Sequence, residues 1–197
     1  MKRLIEPIFL FALSYLFLLA LSILFGNRYA VFFLPLYKWE IAMAAQDFQI
    51  QSLTIAKSHG ENVVALSLAV GDYLVGRGVL YPGTSISAST LVGQALQHAL
   101  LIFPIAFAWP AGSASVRMIR VLLALPCLLL LECVDVPLVL LGSVQDLVAA
   151  NLGPGADTSL VGWMNFMNGG GRLALSIGSA IALCLSLPGE PRAQKSE

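Results

Sequence analysis

The chain has 197 residues, of which 58% are hydrophobic and only 11% charged, with a mean hydropathy of +0.83. Soluble domains carry about 25% charged residues, so this composition excludes an ordinary water-soluble domain and describes an integral membrane protein in contact with the lipid bilayer. Eleven basic residues balance eleven acidic ones, which excludes the global basic surface of a nucleic-acid-binding protein, and no nucleic-acid partner is expected.

Crossing about 30 Å of hydrocarbon takes about 20 apolar residues, and four stretches meet or approach that length: 4–25, 89–109, 121–143 and 173–187. The first follows Lys2 and Arg3, as a signal peptide would. Its apolar run exceeds the roughly 7–15 residues of a signal-peptide core, so an uncleaved anchor over 1–28, ending at Gly26-Asn27-Arg28, is expected. With four spans both ends share one side. That side holds Lys2, Arg3, Arg117, Arg120, Arg192 and Lys195 in short segments, whereas Arg28, Lys38, Lys57, Arg77 and Arg172 are spread over longer loops. Basic residues in short loops stay in the cytoplasm, so both termini are expected there and the long loops outside.

The first outer segment, 29–88, opens with Tyr29, Phe32, Phe33, Leu36, Tyr37 and Trp39, an aromatic stretch suited to lying along the headgroups. Val64, Leu66, Leu68 and Val70 then alternate with Ala65, Ser67 and Ala69, the period of a strand with one buried face. Stretches 48–56 and 73–81, set off by turn residues, predict flanking strands. The expected fold class is therefore an integral membrane, mainly α-helical chain of four transmembrane helices, with a small extracytoplasmic antiparallel β-meander between the first and second.

The second and third spans, 89–143, predict a helical hairpin. Gln94, Gln97 and His98 share one helix face, as do Glu132 and Asp135. Folding about Ser115 brings His98 level with Glu132, each 17 residues away, and Asp135 near the level of Gln94. A carboxylate inside the membrane costs several kcal/mol unless it is protonated, paired or hydrated, so these five residues predict a hydrogen-bonded intramembrane cluster. Such a cluster serves as a proton or ion relay, as a socket for a partner's helix, or as an interhelical clamp worth about 0.6 kcal/mol per contact.

The cysteines Cys127, Cys133 and Cys184 form no CxxC pair and no zinc-spaced ladder with histidine, so neither disulfide, metal nor cofactor is expected. A thiol enzyme built on Cys133, His98 and Arg172 is the catalytic alternative. The flanking negative charge of Glu132 and Asp135 discourages the thiolate such an enzyme needs, and no catalytic residue is assigned.

In the loop 144–171, Trp163 leads to Gly169-Gly170-Gly171 and then Arg172 at the start of the last helix and tail, 172–197. Bare helix amides beside a guanidinium suit an anion or a partner contact; the plainer reading is a flexible entry with Arg172 reaching the headgroups. In the last span Ala174, Gly178 and Ala182 form a small-residue stripe on which another helix can pack closely.

The order of anchor, outer β-region, helical hairpin and final span, with the stretches 100–120 and 163–172, resembles the exosortase H-associated membrane proteins. The resemblance implies a non-catalytic accessory subunit of a bacterial inner-membrane complex. Its membrane partner would be an exosortase, the cysteine enzyme that processes sorting signals on exported proteins. Exosortases present cysteine, arginine and histidine in that order, whereas here His98 precedes Cys133 and Arg172, so the chain does not read as an exosortase itself. The rival functions are a proton-coupled transport component using Glu132, Asp135 and His98, and a membrane thiol peptidase or transferase.

Overall fold

A computed structural model describes residues 2–111, 113–153 and 158–187. Arg192 and Lys195, two of the basic residues assigned above to the cytoplasmic side, lie outside the described residues. The described residues form the α-helices α1 (Lys2–Ala44), α2 (Val92–Ala108), α3 (Ala114–Leu152), α4 (Ser159–Phe166) and α5 (Arg172–Ser186). Strands β1 (Phe48–Ser58), β2 (Glu61–Val70), β3 (Leu74–Val75), β4 (Val79–Leu80) and β5 (Ser85–Leu91) lie between α1 and α2.

Among the described residues, three helical stretches are long and apolar enough to cross a membrane: Ile5–Ala44, Ala114–Leu152 and Ser159–Ser186. The last includes a kink at Met167–Gly171, where Gly170 adopts φ 114°, a backbone conformation open mainly to glycine. Helix α2 is apolar but has 17 residues, about 26 Å at 1.5 Å per residue. Helix α1, with 43 residues, is about 65 Å long, twice what the hydrocarbon needs.

The expected end of the first helix at Gly26-Asn27-Arg28 is therefore corrected. Gly26 is buried inside α1, where an added Cβ would stand 2.8 Å from Leu96 Cδ1. It is a close-approach glycine for α2 rather than a helix stop. The aromatic stretch is helical too. Residues 29–44 continue the helix, and Ala30, Phe33, Tyr37 and Ile41, spaced at one turn, are buried, while Phe32 and Trp39 face outward.

The chain divides into two compact units, one of Met1–Leu24, Gln97–Leu131 and Leu173–Glu197, the other of Phe25–Leu96 and Glu132–Arg172. The second unit contains the sheet, of order β1-β2-β5 and antiparallel throughout. The alternation read in β2 is realised: Val64, Leu66, Leu68 and Val70 are at most 2% exposed. They pack in one core with Ile86 and Ala88 of β5, the buried face of α1, and Val136, Leu140, Val144 and Val148 of α3. The β1–β2 turn is His59-Gly60 with φ of 50° and 87°, the doubly positive pair that a two-residue hairpin of matching twist requires.

The third strand differs from the expectation. Ser85–Leu91 pairs with β2, Leu66 opposite Ala88 and Leu68 opposite Ile86, and residues 73–81 instead form the short β3–β4 ribbon. The tip of that ribbon caps α3. The Arg77 amide donates to the Leu152 carbonyl at 2.6 Å, satisfying a helix-end acceptor. Gly76 permits it, since a Cβ there would lie 2.4 Å from the same oxygen. Strand β5 also runs to Leu91, so the helix expected to begin at 89 begins at Val92.

In the first unit, the buried face of α5 is Ser176, Ala180, Leu183 and Cys184. Arg120, assigned from sequence to a basic loop, is 1% exposed. Its guanidinium donates to the carbonyls of Trp109, Pro110 and Leu187, tying the ends of α2 and α5 together through acceptors that helix geometry leaves over.

Candidate functional site

The five residues of the expected intramembrane cluster divide between the units. Gln94, Glu132 and Asp135 belong to the second, Gln97 and His98 to the first. In the first unit His98 is fully buried, and its Nδ1 lies 2.7 Å from the Ser176 hydroxyl of α5. Gln97 is half-buried.

The second unit assembles a polar centre from three helices and the kink. The 29/33/37/41 spacing of α1 turns two tyrosines inward, and the hydroxyls of Tyr29 and Tyr37 donate to the two carboxylate oxygens of Glu132. One turn on, Asp135 receives Arg172 Nε at 2.9 and 2.7 Å, and Arg172 Nη1 donates to Asn168 Oδ1 at 2.9 Å. Glu132 and Asp135 are fully buried and Arg172 is 2% exposed. The bonds made by Arg172 carry the charge of its guanidinium, which makes them about twice as strong as neutral ones. Trp163 Nε1 donates to the Val134 carbonyl at 2.7 Å, clipping α4 to the same turn of α3.

The glycine run acts as a joint. Gly170 supplies the positive φ, and Gly171 packs where a Cβ would lie 2.7 Å from the Phe166 carbonyl. The two glycines let the backbone kink just before Arg172, whose side chain reaches Asp135. The anion that Arg172 engages is thus an internal carboxylate, in place of a headgroup. Gly169 has open space around it.

Gln94 accepts from the Thr90 hydroxyl at 3.0 Å. Both line an open polar cleft of about 320 Å³ shared with His59, Glu61, Ser143 and Asn168. Asn168 therefore belongs both to this cleft and to the Arg172 pair. Cys133 is half-buried, and its neighbours Glu132 and Asp135 are engaged as described. Among the described residues no group of three His, Cys, Asp or Glu side chains is placed to hold a metal ion. The stripe of Ala174, Gly178 and Ala182 lies on the exposed face of α5, with open space around Gly178.

Sequence reasoning found Glu132, Asp135 and Arg172, and it missed Tyr29, Tyr37 and Asn168 as their partners. The signal for the tyrosines was their helical spacing with Phe33 and Ile41, legible once Gly26 is not read as a stop. No known protein family, curated protein or solved structure matches the chain.

Proposed function

We propose that the chain is a non-catalytic accessory subunit of a bacterial inner-membrane complex, with four spans, both termini in the cytoplasm and the sheet outside. The observation that carries this reading is the engagement of Glu132 by two tyrosines and of Asp135 by Arg172 within the chain itself. Side chains joined in this way fix helix rotation and depth, which is the work of a scaffold. The exposed Ala174, Gly178 and Ala182 face offers a partner helix close backbone approach. Helix α2, short for a span, would cross where neighbouring helices thin the bilayer. The resemblance in 100–120 and 163–172 names an exosortase as the partner. Purification from the native host in mild detergent should recover a membrane protein in stoichiometric amount; a monodisperse lone subunit would overturn the reading.

A second reading has one observation in its favour. Asn168 joins the Asp135–Arg172 pair to the polar cleft, a route by which water could reach the carboxylate of a proton-coupled carrier. Reconstituted vesicles would then show a proton flux that Asp135→Asn abolishes, and absence of flux in the unmodified protein would remove this reading.

A further inference from the structure

The first unit carries an open groove of about 680 Å³ that takes no part in the polar centre. Its walls are Leu10, Leu13 and Phe17 of α1, Phe103 and Phe107 of α2, and Val121 of α3, and its size falls within the roughly 300–1,000 Å³ of ligand pockets. The one hydroxyl in the wall, that of Ser14, is turned to its own helix, donating to the carbonyls of Leu10 at 2.7 Å and Phe11 at 3.1 Å. The groove therefore offers its occupant no hydrogen bond, as suits a hydrocarbon chain that can form none.

One turn from Leu10 on α1 is Glu6, and one turn from Val121 on α3 is Arg117, each on the lining face of its helix. They meet as an ion pair, Arg117 Nη2 to Glu6 Oε1 at 3.1 Å, with side chains 24% and 66% exposed. The pair does not exhaust the guanidinium, because the buried Nε of Arg117 has no hydrogen-bond partner. The groove thus ends in one cation with a donor to spare and one exposed carboxylate.

We propose that this groove is a binding site for a phospholipid with a primary-amine headgroup, of the phosphatidylethanolamine class. One acyl chain lies between α1, α2 and α3, the phosphate accepts from Arg117, and the ammonium donates to Glu6. The headgroup's two charges complement the ion pair with opposite signs. A choline headgroup has no N–H to give Glu6, and a glycerol headgroup sets a net negative charge against that carboxylate.

The test is native mass spectrometry of the full chain, delipidated and exposed to equal amounts of dioleoyl phosphatidylethanolamine, phosphatidylcholine and phosphatidylglycerol. One ethanolamine lipid per chain should be retained over the other two by about tenfold, the factor commanded by one charge-assisted hydrogen bond. Glu6→Gln, isosteric and exposed, should erase the preference for ethanolamine over choline. Ser14→Phe, which fills the groove, should reduce retention of all three lipids. Equal retention of the three by the unmodified protein, or an undiminished preference in Glu6→Gln, would overturn the proposal. Where Ser14→Phe does not fold, the Glu6→Gln comparison decides alone.

Discussion

Breaking the Asp135–Arg172 pair from one side should be far more harmful than removing it altogether. Arg172 is 2% exposed and Asp135 fully buried, so either charge left without the other remains in low dielectric. In Asp135→Asn the amide oxygen still accepts from Nε but carries no charge, which places the cost near the lower end of the 3–5 kcal/mol typical of a broken buried pair, about 3 kcal/mol. Arg172→Met removes the guanidinium from the fully buried aspartate, at about 4 kcal/mol. For a chain of this length each kcal/mol moves Tm by about 2–4 °C, so Asp135→Asn should melt about 6–12 °C lower. The double variant Asp135→Leu with Arg172→Met leaves no charge behind and should lie within about 2 kcal/mol of the parent. Thermal unfolding of the full chain in mild detergent, run as a double-mutant cycle, reads the coupling directly. The coupling should change little with added salt, since a buried pair is poorly screened. Additive single effects, or an Asp135→Asn variant that melts with the parent, would refute the view that these two charges are buried together.

Two further substitutions test neighbouring parts of the same unit by the same unfolding measurement. Tyr37→Phe removes a donor from the buried Glu132 carboxylate and should cost about 1–3 kcal/mol, with a smaller loss for Tyr29→Phe because Tyr29 is only half-buried. Gly142→Ala would set a Cβ 2.5 Å from the Leu160 carbonyl and should destabilise by about 1–3 kcal/mol. Gly162→Ala, with nothing within 4 Å, should instead stabilise α4 by about 0.5–1 kcal/mol.

What was legible in the sequence followed from strong periodicity, and what was not followed from residues whose role is set by contact. Four inward positions of β2, Val64 through Val70, are large and apolar, so their alternation announces a strand. The inward positions of β5 are Ile86, Ala88 and Thr90 between serines. That contrast is too weak to outbid the tyrosines and valines of 73–81, and pairing with β2 decides the matter. Gly26 carries the local signature of a helix end, yet the close approach of Leu96 makes it an interior residue. A local signal cannot distinguish these uses of glycine, because both exploit the same missing Cβ. The carboxylates Glu132 and Asp135 stood out because acids are rare in apolar helices. Their partners did not, because two tyrosines about 100 residues upstream and an arginine beyond a glycine kink reach them only in the fold.

The carboxylates are met by groups of two kinds, a permanent cation at Asp135 and neutral phenols at Glu132. A guanidinium does not release its proton in proteins, so Arg172 holds Asp135 as a fixed ion pair and cannot pass a proton along. The groups also come from different elements: α1 supplies the two tyrosine donors, α5 the arginine, and the kink supplies Asn168, whose Oδ1 accepts from Arg172. A rotation of α1 by one residue, about 100°, would swing both hydroxyls off Glu132 together. The penalty for wrong packing is thus concentrated on a few atoms, whereas the surrounding leucines and valines would tolerate several registers at similar cost. A cluster arranged in this way specifies how Tyr29 and Tyr37 of α1, Glu132 and Asp135 of α3 and Arg172 at the start of α5 lie against one another.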